Sequence, residues 1–364
     1  MLPPLRVVIA GGGTGGHLYP GIAVAREILA RRPDARISFA GTSRGIEARV
    51  LSTEGFALDL IRSGGLKGKS IGERTRGAAL VPLGLGDAWR LISVRQPTLV
   101  IGVGGYSSGP VVLMAAVRGI PTMVLEQNAV PGLTNRLLAR FVHAAAVTYE
   151  STKPFFGSKA FVSGNPVRPE FLTAGGHETE TNRSGETKVL VFGGSQGAHA
   201  INMAMVEAAA ELAAGGAALR FTHQTGERDL EMVRAAYRTA GLAADAEAFL
   251  YDMGRRLGEA DVVVCRAGAT TIAEITAAGR AAILVPLPTA TDDHQAKNAR
   301  ALAAAGAAEV LPQANMTGHM LAERILALAR DAARRARLAA AARSFARPDA
   351  AKVIVDRALE IAGR

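Results

Sequence analysis

The chain has 364 residues, 49% of them hydrophobic and 5% aromatic, a formal net charge of +10 and one cysteine, Cys265. That length exceeds one ordinary domain and suits two with aliphatic cores, while a lone cysteine excludes a disulfide framework and fits a reducing compartment. The positive charge suits phosphorylated small molecules or an anionic lipid surface, and nucleic acid is disfavoured because no aromatic platform is interleaved with the basic residues.

The opening MLPPLRVVIAGGG lacks the apolar core of a signal peptide, and no uncharged apolar stretch reaches the roughly 18 residues of a membrane span. Both point to the cytoplasm. The first predicted strand, 6–10, feeds the loop AGGGTGGHLYP (10–20), and a helix bearing Ile22, Ala23, Ala25, Ile28 and Leu29 leads out. Strand, glycine-dense turn and helix N-terminus in that order form a cradle for an anion or a sugar, because glycine lets backbone N–H groups approach a ligand and the helix dipole favours negative charge. His17 stands where the helix begins. The dipole disfavours its protonated form, so a neutral imidazole there can accept a proton; the alternative is a histidine that only fills the turn. Gly11, Gly13 and Gly16 also satisfy G-x-G-x-x-G, but strand two (36–40) is followed by Gly41 and Thr42 with no acid for a nicotinamide ribose, which disfavours a dehydrogenase.

Further strands are predicted at 58–61, 98–103, 122–126 and 144–147, with helices at 45–53 and 133–139 among those between them. Buried β-branched strands alternating with helices indicate a parallel sheet covered on both faces, with ligands at the carboxyl ends of the strands. Between them, 62–95 carries Arg62, Lys67, Lys69, Arg74, Arg76, Arg90 and Arg95 around apolar Leu80, Val81, Leu83, Leu85 and Trp89. Such a segment is either an anionic-membrane contact or a core helix with basic flanks. VGGYSSGP (103–110) supplies Gly104, Gly105 and the hydroxyls of Tyr106, Ser107 and Ser108 after a strand, suited to a sugar or phosphate or to a plain tight turn. Glu126, Gln127 and Asn128 end the next strand, a carboxylate beside two amides that suits sugar hydroxyls.

Arg168 near the expected domain junction is either a phosphate clamp or a surface ion pair. The polar stretch 173–187 reads as a linker or exposed loop. KVLVFGGSQGAHAIN (188–202) then repeats the opening unit: displaced by 182 residues, Arg6 falls on Lys188, Gly11 on Gly193, Gly15 on Gly197 and His17 on His199. This internal duplication makes Ser195 a candidate donor to a diphosphate. Strands follow at 219–223, 261–265 and 282–286. The last of these motifs, Arg266 to Glu274, is a small-residue turn at a helix start in which Glu274 can accept both ribose hydroxyls or merely complement the dipole. Cys265 reads as an inert strand residue. Asp292, Asp293 and His294 are too close in sequence to converge on one ion, so no metal site is expected. The arginine-rich 330–343 reads as a solvated face, and a final helix, 350–362, is a candidate to fold back on the first domain.

GGGTGGHLYP, SGGLKGK, GVGGYSSGP, EQNAVPGLTNR, GNPVR, GGSQGA, CRAGATTIAE and DDHQAKNA in this order resemble the MurG family of bacterial peptidoglycan glycosyltransferases over nearly the whole chain. The resemblance implies an α/β GT-B fold, two Rossmann-like doubly wound parallel-sheet domains facing across a cleft, with an acceptor- and membrane-facing domain at 1–164 and a UDP-sugar-binding domain at 165–347. It implies inverting transfer of N-acetylglucosamine from UDP-N-acetylglucosamine to lipid I, the undecaprenyl-diphospho-N-acetylmuramoyl-pentapeptide, at the cytoplasmic face of the inner membrane. Cell-wall biogenesis, cell shape and division follow from that activity, and no cofactor is implied. Thr14, Gly15 and Gly16 would approach diphosphate and sugar, and Asn128 the transferred sugar. Arg168 and Ser195 would hold phosphates. Leu250 and Ala269, Thr270, Thr271, Ile272, Ala273 and Glu274 would enclose uracil and ribose, with Gln295 on the sugar hydroxyls. His17, with Glu126 as the alternative, would be the base on the acceptor side, beside Gly104, Gly105, Tyr106 and Ser107. His294 replaces a glutamine of some members, and His199 an arginine, so His199 receives no role. Another GT-B enzyme, such as a lipid glycosyltransferase or a UDP-sugar 2-epimerase, and a noncatalytic UDP-sugar-binding module are the competing readings.

Overall fold

The structure is a computed structural model and describes residues 4–42, 47–63, 71–174, 185–194 and 197–363. The chain forms two compact units, Met1–Val167 with Arg347–Arg364, and Arg168–Ala346. The first unit therefore extends three residues past the expected boundary and takes in Asn165 to Val167.

In unit 1 the strands are β1 (Arg6–Gly11), β2 (Arg36–Gly41), β3 (Ala57–Leu60), β4 (Leu99–Gly104), β5 (Thr122–Glu126), β6 (Ala144–Val147) and β7 (Ala160–Val162). Its helices are α1 (Gly15–Arg31), α2 (Glu47–Thr53), α3 (Ile71–Arg95), α4 (Ser108–Val117) and α5 (Leu133–Leu138). Unit 2 begins with α6 (Pro169–Ala174) and holds β8 (Thr187–Phe192), β9 (Leu219–Gln224), β10 (Ala243–Glu247), β11 (Val262–Cys265), β12 (Ala281–Leu284) and β13 (Glu309–Val310). Around them lie α7 (His199–Ala214), α8 (Leu230–Ala240), α9 (Met253–Glu259), α10 (Ala269–Ala278), α11 (His294–Ala304), α12 (Gly318–Arg330) and α13 (Ala332–Ser344). The last helix, α14 (Ala350–Ile361), returns to unit 1.

Both sheets are parallel throughout, in the orders β3-β2-β1-β4-β5-β6-β7 and β10-β9-β8-β11-β12-β13. The order reverses between β1 and β4 in one sheet and between β8 and β11 in the other. Loops leaving such a reversal point diverge to opposite faces and open a crevice at the strand ends, where doubly wound sheets bind ligands. The duplicated segment thus recurs as duplicated topology, with the first strand of each repeat at the reversal. The polar stretch 173–187 does not join the units: it connects α6 to β8 within unit 2, its ends belong to those elements, and 175–184 lie outside the described residues.

The cores follow strand alternation. In β1, Val7 and Ile9 face a cluster with Leu18, Ile22 and Ile28 of α1, whereas Val8 and Ala10 face Ala88 and Ile92 of α3 and Val112 of α4. The α14 helix adds Ile354, Val355 and Ala358 to the first cluster, and Arg31 pairs with Asp356. Because Ile354 is fully buried, Ile354→Ala is expected to destabilise unit 1 by about 2–5 kcal/mol. Urea unfolding followed by the fluorescence of Trp89, the single tryptophan, checks this; an unchanged midpoint would mean that α14 is not part of the folding unit.

Three strands lie outside the sequence expectation. The strands β7, β10 and β13 are short or partly exposed, β7 with three residues and β13 with two. The arginine-rich segment is also more than a solvated face. Arg335 donates to the Ala329 carbonyl (2.7 Å) and Arg343 to that of Gly279 (3.3 Å), satisfying carbonyls at helix ends.

Candidate active site

The loop after β1 interlocks with the loop after β4. The Gly12 N–H donates to the Gly104 carbonyl (3.3 Å). A Cβ on Gly104 would lie 2.7 Å from His17 Nδ1, so the imidazole rests directly on glycine backbone and no larger residue fits beneath it. His17 is the third residue of α1 and half-buried. Thr14 precedes the helix in extended conformation, exposed, with its side chain making no capping bond. Gly15 and Gly16 form the first turn. The Gly13 N–H donates to the Glu47 carboxylate (2.7 Å). An N–H that a dinucleotide loop turns toward pyrophosphate is here taken by an acid, a physical reason against nicotinamide binding beyond the absent strand-two acid.

Of the three hydroxyls after β4, Tyr106 alone is exposed. Ser107 is 2% exposed, and Ser108 is fully buried and donates to the Gly105 carbonyl (3.0 Å). Ser108 thus braces the turn into α4.

Glu126 is buried, and both of its oxygens are engaged. Oε1 accepts from the Asn128 backbone (3.0 Å) and side chain (3.2 Å), Oε2 from Gly132 N–H (3.1 Å) and Asn135 Nδ2 (2.9 Å). Burial raises its pKa while these bonds oppose the rise. A carboxylate so enclosed organises the 126–135 loop. The Asn128 amide is turned back on the same carboxylate.

In unit 2 the crevice lies after β8 and β11. Ser195 lies outside the described residues. A Cβ on Gly197 would lie 2.0 Å from the Thr225 carbonyl oxygen, so Gly197→Ala is expected to cost about 2–4 kcal/mol through overpacking and a left-handed alanine. A lowered urea midpoint checks this.

The same Thr225 carbonyl accepts from Asn202 Nδ2 (2.8 Å), which also donates to Asp229 (2.8 Å). Asp229 pairs with His199 (3.0 Å), the residue given no role above. Burial pushes Asp229 up, but the bonds from Asn202 and His199 outweigh it and its pKa is lowered. Asn202 Oδ1 meets His223 Nε2 (3.0 Å), and His223 Nδ1 meets the Tyr237 hydroxyl (2.9 Å). Burial lowers the His223 pKa to about 3. Its ring is neutral, and since Asn202 presents an oxygen, Nε2 carries the hydrogen and Nδ1 accepts from Tyr237. This buried network, invisible in local sequence, braces the second glycine loop.

Glu274 lies in α10, buried, with its pKa raised to about 7 by desolvation against the attraction of Arg168. Arg168 Nη2 donates to Glu274 Oε1 (3.1 Å), lies 3.4 Å from Glu170 and stacks on Phe171 (4.6 Å). The expected phosphate clamp and the expected ribose acceptor are thus paired with each other. Thr270 and Ile272 are buried beside them, with Ala269, Thr271 and Ala273 half-buried. Leu250 is buried and its N–H donates to Gln224 Oε1 (3.2 Å), while Gln224 Nε2 donates to the Gly194 carbonyl (2.6 Å). Gln224, absent from the expected set, therefore ties the glycine loop to the Leu250 loop. Tyr251, beside Leu250, is 92% exposed. Gln295 Oε1 accepts from Ala267 (3.3 Å) and Leu287 (3.0 Å), which leaves its Nε2 to donate to a ligand. Cys265 is fully buried, and burial pushes its thiol pKa up.

The α3 helix packs one set of its apolar residues into the core and leaves another set exposed. Ala88, Leu91 and Ile92 face the core; Val81, Leu83, Trp89 (53% exposed) and Val94 face outward, with Leu80 and Leu85 half-buried. Arg118 lies over the Trp89 ring at 5.0 Å. Arg62 and Arg95 pair with Asp87 and Asp59. Lys67 and Lys69 lie outside the described residues, as do the side chains of Arg74 and Arg76. Among the described residues no helix is long and apolar enough to cross a membrane, and no group of three or more His, Cys, Asp and Glu is placed to hold a metal.

Comparison with known proteins matches both units. The glycosyltransferase family 28 N-terminal domain covers residues 7–147 and the glycosyltransferase family 28 C-terminal domain residues 188–354. The UDP-N-acetylglucosamine–N-acetylmuramyl-(pentapeptide) pyrophosphoryl-undecaprenol N-acetylglucosamine transferase of Anaeromyxobacter sp. (strain Fw109-5) is 46% identical over 361 residues, 99% of this chain and 94% of its own. The transferase of the same name from Pelobacter propionicus is 46% identical over 375 residues, 98% of this chain and 99% of its own. Among solved structures, Acinetobacter baumannii MurG superposes with a TM-score of 0.80 at 31% identity, over 98% of this chain and 100% of that one. The UDP-GlcNAc 2-epimerase of Neisseria meningitidis, at 13% identity and a TM-score of 0.69, shares the fold alone. With both of its units matched and relatives of this identity along nearly its full length, the chain belongs to glycosyltransferase family 28.

Proposed function

We propose that this glycosyltransferase moves N-acetylglucosamine from UDP-N-acetylglucosamine to the C4 hydroxyl of the N-acetylmuramoyl-pentapeptide on undecaprenyl diphosphate, with inversion. The observation that carries the reading is 46% identity over 361 residues to a transferase of that name. In this reading Glu274 accepts the ribose hydroxyls, Leu250 and the start of α10 enclose the uracil, and Gln295 donates to the sugar. Arg168, Ser195 and the N-terminus of α7 face the diphosphate. Thr14, Gly15, Gly16 and Asn128 approach the diphosphate and sugar, with Gly104, Gly105 and Tyr106 on the acceptor side. The acceptor oxygen attacks the anomeric carbon, its proton passes to the His17 imidazole, and the bond to the β-phosphate oxygen breaks with its electron pair leaving on UDP. Charge developing on UDP is stabilised by Arg168 and fixed backbone dipoles.

The test is transfer of radiolabelled sugar from UDP-N-acetylglucosamine to a short-chain lipid I analogue with EDTA present. Label on the lipid supports the reaction. A folded chain that binds UDP and leaves the lipid unlabelled would indicate another UDP-sugar enzyme or a noncatalytic module.

The exposed apolar stripe of α3, with Trp89 and Arg118, is proposed to rest on the anionic inner leaflet that carries the acceptor, which makes the protein peripheral to the cytoplasmic face of the membrane. Wild type is expected to co-sediment with anionic vesicles at low salt. Trp89→Ala should weaken this, and about 1 M salt should release most of the protein by screening; equal binding to neutral vesicles would sink the electrostatic part.

A further inference from the structure

We propose that Glu47 is a positioning residue for this reaction, a role that rests on the reading above: its carboxylate fixes the Gly12–Gly13 backbone and thereby sets where His17 sits. Glu47 begins α2 and is fully buried. It wedges between the end of β2 and the first glycine loop. A Cβ on Gly41 would lie 3.2 Å from its Cγ, and one on Gly12 only 2.2 Å from its Oε1. Oε1 accepts from the Gly13 N–H at 2.7 Å. Oε2 is buried and has no hydrogen-bond partner among the described residues.

A fully buried acid whose second oxygen has no partner among the described residues is a poor device for stability alone, because burying a carboxylate carries a desolvation cost that an apolar side chain does not. An apolar residue of similar volume would fill the wedge at lower cost. What an apolar residue lacks is the bond to Gly13. From there the chain is short: Thr14 follows, its carbonyl accepts from the His17 N–H (3.2 Å), and the His17 ring lies on Gly104. Two anchors of this loop are the Gly104 carbonyl holding Gly12 and the Glu47 carboxylate holding Gly13. Releasing the second lets the entry to α1 shift, and a misplacement of about 1 Å at a reacting group can cost on the order of 100-fold in rate.

The experiment compares wild type with Glu47→Ala, Glu47→Gln and Glu47→Asp. Glutamine keeps an acceptor oxygen for Gly13; aspartate keeps the charge but draws it back by one methylene. In the transfer assay, Glu47→Ala and Glu47→Asp are expected to lower kcat by roughly 10–100-fold, with UDP affinity unchanged, and Glu47→Gln to restore most of the rate. Ring-labelled histidine NMR, with the His17 signal identified by its loss in His17→Ala, is expected to show that signal moved in the alanine and aspartate variants and returned in the glutamine variant. The buried His223 of unit 2 should stay in place throughout. If Glu47→Ala does not fold, the aspartate and glutamine pair carries the test. An unmoved His17 signal, or a glutamine variant as impaired as aspartate, overturns the role of Glu47. The NMR arm reads His17 whether or not sugar is transferred, so a wild type inactive in the assay overturns the reaction separately.

Discussion

His17→Ala is expected to lower kcat for sugar transfer by a factor of roughly 10²–10⁴, the range that a positioned general base contributes. In the proposed reaction the acceptor hydroxyl is a weak nucleophile until its proton is removed, and the imidazole proposed for that task lies against the Gly104 backbone at the start of α1. Glu126, the other candidate, has both oxygens committed to the 126–135 loop, so it cannot rescue the variant. Because the interaction is made with the transferring proton, kcat and kcat/KM should fall together while KM for the donor stays near wild type. Steady-state kinetics with the lipid I analogue decides it. A loss of less than about fivefold would remove His17 from the proton transfer and leave it a loop-packing residue.

Glu274→Gln carries the second large effect. Hydrogen bonds to a charged group are worth about 1.5–3 kcal/mol, so losing the carboxylate should weaken UDP-N-acetylglucosamine binding by roughly 10–150-fold. The pH dependence is sharper evidence. Burial raises the Glu274 pKa from 4.5 to about 7 against the pull of Arg168, and the ribose hydroxyls need the ionised form as acceptor. Wild-type affinity should therefore rise with pH through about 7 and level off above it, whereas Glu274→Gln should show no such rise.

Stability runs the other way. Between 4.5 and about 7 the folded chain keeps a proton that the unfolded chain has released. The stabilisation this gives is complete below that window and is lost as pH rises through it. Titration calorimetry with the UDP-sugar and urea unfolding across that pH range test both signs; a wild type whose affinity is flat in pH would take Glu274 off the ribose.

Much of the molecule was legible from short windows of sequence. The buried aliphatic strands β1, β4 and β8 announce themselves as apolar runs ending in glycine, and β11 as the run VVVC. The 182-residue repeat anticipated two sheets with the same reversal of strand order. The positions of His17 and Glu274 are legible because a strand, a small-residue turn and a helix start are consecutive in the chain, so backbone direction alone places such residues at the carboxyl edge of a parallel sheet. The edge strands escaped because β10, with the sequence AADAE, is stabilised by pairing with β9 rather than by burial, and pairing leaves no composition to read.

The choice of partner for each polar side chain belongs to tertiary structure. Glu47 reaches Gly13 across 34 residues, and Arg168 reaches Glu274 across 106. Glu126 ties the 126–135 loop together because Asn128, Gly132 and Asn135 converge on it. Likewise α3 is core on one side and exposed apolar surface on the other, a division its composition left open. The periodicities that make helices and strands repeat within a few residues and are written locally. A buried charge or amide must be matched wherever the fold happens to bring a partner, and only the packed chain decides which partner that is.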